Sequence, residues 1–111
     1  MVKKSGLYKG CLEPIILKLL DDNGRMYGYE ITQKVKGATA GELVITEGAL
    51  YPLLHKLESE GVLEVEVENI GNRVRKYYSL TKTGKKAKSK ALTELENFSN
   101  TLQLLLNPKL A

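Results

Sequence analysis

Gly48-Ala49-Leu50-Tyr51-Pro52-Leu53-Leu54-His55-Lys56-Leu57-Glu58-Ser59-Glu60-Gly61-Val62-Leu63 reads as one helix with two unlike faces and a stop. Wound at the helical period from Thr46, the residues Leu50, Leu53, Leu54 and Leu57 fall on one side, and Gly48, Tyr51, Pro52, His55 and Ser59 on the other. Thr46 is a helix-capping residue type and Gly61 a stopping one. The leucine side suits a core. The opposite side holds no acid, and its small groups, phenol hydroxyl and imidazole suit a helix that lies in a groove and touches base edges. An ordinary amphipathic core helix would carry the same leucines, so the residues that follow must separate the two readings.

After Gly61, Leu63-Glu64-Val65-Glu66-Val67-Glu68 alternates at period two, Asn69-Ile70-Gly71-Asn72 supplies turn residues, and Val74-Arg75-Lys76-Tyr77-Tyr78-Ser79-Leu80 returns as a second strand. A turn centred on Gly71-Asn72 pairs Leu63 with Leu80 and Val65 with Tyr78 on a buried face, and Glu68 with Arg75 on the open one. A reader helix followed by a hairpin with a polar, basic tip is the order of a winged helix-turn-helix, so the expected fold is mainly α with a small β-hairpin wing. Upstream, Leu7 to Leu20 predicts a first helix with Leu12, Ile15, Ile16, Leu19 and Leu20 buried, and Pro14 is tolerable only near its first turns. A second helix is expected from about Tyr27 to Lys36, with Gly28, Ile31 and Val35 inward and Tyr29 and Gln33 outward. Leu43-Val44-Ile45 predicts a short strand that closes against the hairpin before Thr46.

The last segment has a different pattern. Thr81 caps a helix that runs from Lys82 to Leu106, about 37 Å at the usual rise. Its apolar residues Ala91, Leu95, Phe98, Leu102 and Leu105 step by 4, 3, 4 and 3, which is a heptad seam. Packing back on the first helix accounts for part of that stripe, but a helix this long overhangs a small domain, so the seam predicts a homodimer. Residues 1–81 are then the winged helix-turn-helix DNA-binding domain and 82–111 the dimerisation helix. Two symmetry-related reader helices suit successive major grooves of a duplex, about 34 Å apart.

Length and charge agree with this. A chain of 111 residues, 42% hydrophobic, supports one core. The formal net charge of +4 is mild, but it is segregated: Glu58 to Glu68 holds five glutamates and no base, and Arg73 to Lys90 holds eight basic residues and no acid. That basic field is where phosphates could sit. The single cysteine, Cys11, excludes an internal disulfide and fits a reducing cytoplasm; with one histidine beside it, neither a metal site nor a cofactor is expected. The longest apolar run, Pro14-Ile15-Ile16-Leu17, is far too short to span a membrane, and no secretory signal opens the chain. No Ser/His/Asp set, phosphate-cradling glycine loop or paired carboxylates points to catalysis, so no enzyme is expected. The rival readings are a winged helix whose outer face docks another protein, and a nonspecific RNA binder.

Three motifs together carry a family resemblance. Tyr27-Gly28-Tyr29-Glu30-Ile31, Gly48-Ala49-Leu50-Tyr51-Pro52-Leu53-Leu54 with Leu57-Glu58-Ser59-Glu60-Gly61, and Arg75-Lys76-Tyr77-Tyr78-Ser79-Leu80-Thr81-Lys82-Thr83-Gly84 resemble the PadR-like family of bacterial transcriptional regulators, from about Leu7 onward. The resemblance implies an N-terminal winged helix-turn-helix, a single C-terminal dimerisation helix as in short members, and repression relieved by a small effector of unidentified chemistry. It also places Pro52 inside the reader helix, where the missing N–H alone would argue for a later start. Some relatives stack planar aromatic compounds on tryptophan; this chain has no Trp and offers Phe98 and tyrosines such as Tyr8 instead. The expected DNA-binding set is Thr46, Gly48, Tyr51, Pro52, His55 and Ser59 on the reader helix, Arg73, Arg75 and Lys76 on the wing, and Tyr29 beside them. The expected dimerisation set is Ala91, Leu95, Phe98, Leu102 and Leu105.

Overall fold

The first helical segment breaks near Pro14. Helix α1 (Ser5–Tyr8) passes through a 3-10 turn, Lys9–Cys11, into α2 (Leu12–Asn23), so the proline lies in the first turn of α2, where its missing N–H leaves no helical bond unmade. The computed structural model describes residues 5–107 and 109. The single helix expected over Leu7 to Leu20 is thus two helices, and the second continues to Asn23, where the Gly24 N–H caps the Leu20 carbonyl at 2.9 Å. Strand β1 (Arg25–Tyr27) follows, then α3 (Gly28–Ala38), α4 (Glu47–Ser59), β2 (Leu63–Ile70), β3 (Arg73–Leu80) and α5 (Lys82–Leu106).

The hairpin has the register that its pattern predicts. Leu63 faces Leu80, Val65 faces Tyr78 and Glu68 faces Arg75 across a two-residue loop, Gly71-Asn72, with Gly71 at a φ of 60° that a side chain would resist. The third strand is not the expected one. Leu43-Val44-Ile45 forms no strand, only a single β-bridge at Ile45, although Leu43 and Ile45 are buried; β1 takes the place beside β3, and the sheet order is β1-β3-β2. The physical reason is the edge. β3 has one side left after pairing with β2, and Arg25, Met26 and Tyr27 take it, opposite Ser79, Tyr78 and Tyr77. The α3–α4 connection is held instead by Thr39, whose hydroxyl donates to the Val35 carbonyl at 2.8 Å and accepts from the Leu43 N–H at 3.0 Å.

Apolar periodicity places most of the core correctly. Ile31 and Val35 of α3, Leu50, Leu54 and Leu57 of α4, and Met26, Leu63 and Tyr78 of the sheet are buried around α2. On α2 itself Leu12, Ile16 and Leu20 are buried as expected, Ile15 and Leu19 are half-buried, and Leu17, which the helical face did not include, is fully buried. The elements α3 and α4 with the β2–β3 wing make a winged helix-turn-helix, and α5 is the long helix that follows it.

Helix α5 is anchored at one end. The Thr81 hydroxyl donates to the Gly61 carbonyl at 2.6 Å and accepts the Gly84 N–H at 3.0 Å, so one side chain ties the stop of α4 to the start of α5. Farther along, the Lys88 ammonium lies 2.8 Å from Asp21 of α2, and its hydrogen bond holds the Asp21 carboxyl below the ordinary carboxylate range. Ala87 and Ala91 pack on the core, whereas from Glu96 onward the described residues of α5 are exposed. The molecule is accordingly 57 Å long against 30 and 20 Å across.

Gly84 offers a test of that anchor. A methyl group there would press directly on the Val62 carbonyl, a backbone atom that cannot rotate away. Replacing a helical glycine by alanine gains about 1 kcal/mol of helix propensity, but overpacking against rigid backbone costs roughly 1–3 kcal/mol. Gly84→Ala should therefore lower the midpoint of thermal unfolding by several degrees, at about 4 °C per kcal/mol. A midpoint raised above the parent's would show that α5 is not seated this closely.

Candidate nucleic-acid interface

The residues of the reader helix divide by depth. Thr46 is the N-cap of α4, with extended backbone (φ −82°, ψ 160°), and its carbonyl accepts the Ala49 and Leu50 N–H groups at 3.1 and 2.9 Å. Gly48, Pro52, His55 and Ser59 are exposed along the outer side of the helix. Ser59 turns its hydroxyl back to the Lys56 carbonyl, 2.8 Å away. Tyr51 differs from these. It is half-buried, its phenol lies on Gly28 of α3, and the His55 ring sits 6.4 Å from its own, tilted by 40°. Tyr51 therefore joins the two helices of the helix-turn-helix while staying partly exposed.

The wing and the two helices meet at a cleft of about 470 Å³, lined by Tyr27, Tyr29, Tyr51, Arg73, Arg75 and Lys76 among others. Of the expected DNA-binding residues, Tyr29, Tyr51, Arg73, Arg75 and Lys76 come together there, whereas Thr46, Gly48, Pro52, His55 and Ser59 lie outside it along α4. Arg73 and Lys76 beside the exposed Tyr29 phenol make a composition that suits a sugar-phosphate backbone: the cations neutralise it and the hydroxyl hydrogen-bonds to it. Tyr29 is 57% exposed at the start of α3.

Arg75 does not pair with Glu68, although it stands opposite it. Its guanidinium lies 4.0 Å from the centre of the Tyr27 ring and donates to the Tyr77 hydroxyl at 3.4 Å. Glu68 is taken by Arg25 of β1, at 2.5 Å, and the same guanidinium reaches Glu66 at 3.2 Å while lying 4.1 Å from the centre of the Tyr77 ring. The hydrogen bond from Arg25 to Glu68 raises the guanidinium's already high pKa. Arg25, Tyr27, Gly28 and Tyr77 were not among the expected site residues. Their signal is present in the chain as a repeated triplet, Arg25-Met26-Tyr27 and Arg75-Lys76-Tyr77. The basic field is also narrower than its eight residues suggest, because Lys88 is bound to Asp21 and Arg75 is stacked, leaving Arg73 and Lys76 as the exposed cations of the wing.

A second, apolar groove of about 510 Å³ lies between the start of the chain and α5, with Leu7, Cys11, Pro14, Leu95 and Phe98 in its walls. Of the expected dimerisation residues, Ala91 and Leu95 are half-buried within the protomer, and Phe98, Leu102 and Leu105 are 54%, 39% and 72% exposed. Among the described residues no three His, Cys, Asp or Glu side chains converge to hold a metal ion, and no helix is long and apolar enough to cross a membrane.

The sequence pattern of the Transcriptional regulator PadR-like family matches residues 16–90, from α2 into the first third of α5. The chain is similar to a transcriptional regulator from Clostridium thermocellum, with 29% identity and a TM-score of 0.82 over 89% of this chain and 96% of that one. It is similar to a PadR-like transcriptional regulator from Bacillus cereus, with 29% identity and a TM-score of 0.78 over 93% and 98% of the two chains. Bacillus subtilis PadR in complex with operator DNA matches at 30% identity and a TM-score of 0.66, over 74% of this chain and 45% of that longer one.

Two glycines at this surface have opposite surroundings. A Cβ on Gly28 would run into the Tyr51 phenol, whereas a Cβ on Gly48 would meet nothing nearer than the Thr46 hydroxyl at 3.9 Å. Gly28→Ala should lower the unfolding midpoint, because overpacking costs about 1–3 kcal/mol of stability. Gly48→Ala should raise it, by up to about 1 kcal/mol of helix propensity. Thermal unfolding of the two variants reads both signs, and equal effects would contradict the packing of Tyr51 on α3.

Proposed function

Because the chain belongs to the PadR-like family of transcriptional regulators, we propose that it binds duplex DNA as a homodimer, with α4 in the major groove and the β2–β3 wing on the adjacent backbone. The observation that carries this reading is the cleft that sets Arg73 and Lys76 of the wing beside Tyr29 and Tyr51 of the helix-turn-helix. Arg73 and Lys76 take phosphates. Thr46, Gly48, Pro52, His55 and Ser59 face the groove, and Tyr51 and Arg75 form the walls behind them. Gly48 costs α4 about 1 kcal/mol relative to alanine, and nothing inside the protein requires it; close approach of a partner to the helix backbone does. The unit of residues 1–81 binds the operator and 82–111 joins two copies, the operator being an inverted repeat. The protein acts as a repressor, and a small effector releases it.

The homodimer is supported by the distal half of α5. Phe98, Leu102 and Leu105 continue the stripe whose first members, Ala91 and Leu95, are half-buried, and Phe98 lines the apolar groove beside Leu7. A second copy covers both. No arginine lies on the groove face of α4, so bidentate guanine contacts are absent from it and sequence discrimination is modest.

A salt titration of binding to an inverted-repeat duplex, beside a scrambled duplex of equal length, tests this reading. Arg73→Ala should weaken both complexes alike and flatten the log–log salt slope by about one unit. Gly48→Ala should weaken binding while making the protein more stable. A binding constant that barely changes with salt would favour a protein-docking wing, and equal affinity for single strands would favour an RNA binder.

Phe98→Glu with Leu102→Glu tests the seam, since both side chains are exposed within the protomer and their loss spares its core. Charge placed in a desolvated interface costs about 3 kcal/mol or more, so the double variant should sediment as a monomer and bind the inverted repeat no better than a half-site. A dimer that survives both substitutions would place the partner surface elsewhere.

A further inference from the structure

Resting on the duplex-binding reading above, we propose that the two Arg-x-Tyr triplets form a clasp that sets the angle of the wing. Arg25 and Arg75 are then positioning residues for Arg73 and Lys76 rather than phosphate contacts. The triplets pair antiparallel with Tyr27 opposite Tyr77, so each arginine falls diagonally over the other strand's tyrosine: Arg25 over Tyr77 at 4.1 Å and Arg75 over Tyr27 at 4.0 Å. The two rings meet edge to face, with centroids 5.5 Å apart and an interplanar angle of 79°. Four side chains thus interlock on the outer face of the sheet, each cation held by a ring and each ring by a cation.

The wing needs such a device. Its distal half has no core beneath it: Val67, Ile70 and Val74 are exposed, and a two-stranded ribbon alone is marginal in water. β1 pairs with β3 over three residues only. Arg25 extends that short seam across the whole sheet, from β1 over a β3 ring to Glu66 and Glu68 of β2. It also neutralises two carboxylates that would otherwise repel an approaching phosphate backbone. At the other end, Tyr27 is the residue at which α3 begins, its N–H donating to the Glu30 carboxylate at 3.1 Å. The clasp therefore ties the wing to the first helix of the helix-turn-helix, and Arg73 lies two residues beyond its last member.

The test separates charge from shape. A phosphate contact at Arg75 would survive lysine, which keeps the charge; a stacked guanidinium would not. We expect Arg75→Lys and Tyr27→Leu to weaken duplex binding about tenfold, and Tyr27→Phe, which keeps the ring, to stay within about twofold of the parent. The second readout needs no DNA. With spin labels at Asn72→Cys and Glu60→Cys in a Cys11→Ser background, the distance distribution between wing tip and α4 should broaden in Arg75→Lys and Tyr27→Leu and stay narrow in Tyr27→Phe. Parent-like binding by Arg75→Lys with an unbroadened distribution would overturn the clasp. Broadening in the same two variants of a protein that does not bind duplexes would uphold the clasp as the wing's support and overturn the DNA reading instead.

Discussion

Strand β3 lies between two others, and its two faces are chemically incompatible. Tyr78 and Leu80 point into the core, while Arg75 and Tyr77 point out of it. A slip of one residue would exchange those faces, putting Tyr77 or Ser79 opposite Val65 in place of the buried Tyr78. Burial of a large apolar side chain contributes roughly 2–3 kcal/mol, and the slipped strand would put Ser79 or Thr81 opposite Leu63 in place of Leu80, so the register is fixed by apolar burial that only this pairing gives. Everything downstream depends on it. The N-terminal end of β3 carries Arg73 at the wing tip, its free edge accepts β1, and its C-terminal end delivers Thr81 to cap α5.

Helix α4 tolerates a proline in its interior because its inner face is firmly held. Pro52 lacks the N–H that would meet the Gly48 carbonyl, at a cost of about 3 kcal/mol. Leu50, Leu54 and Leu57 are completely buried, at roughly 2 kcal/mol each, and they outweigh it. The consequence lies outside: beside Gly48, which has no side chain, a backbone carbonyl on the exposed surface is left without its helical donor. Tyr51, on the next residue, braces α3 from the same turn. One turn of helix therefore combines the support of the motif with an exposed backbone carbonyl.

The hairpin register and the span of α5 were legible in the chain because each depends on a periodic pattern with a definite stop. β1 was not, since three residues cannot display an alternation, and the β-branched Val44-Ile45 points to a strand elsewhere. The outcome was settled by which segment reaches the open edge of β3. β1 also decides which partner Arg75 takes. Register alone placed Glu68 against Arg75, but Arg25, from the unrecognised strand, reaches both Glu66 and Glu68 and leaves Arg75 to stack on Tyr27. Helical angle likewise assigned Tyr51 to the outer face and could not register Gly28, which opens a seat for its ring in another helix. The heptad stripe of α5 does not by itself distinguish a residue that packs on α2 from one that overhangs it, and the two halves of the stripe do different things.

The proposed function requires two reader helices, one from each of two copies joined through α5, to engage one duplex at once. The most direct measurement is affinity for a series of duplexes in which the distance between two half-sites increases one base pair at a time. Affinity should peak when the half-sites are about 10 base pairs apart, centre to centre, and fall when they are half a helical turn out of phase. An affinity indifferent to spacing would contradict the proposed function.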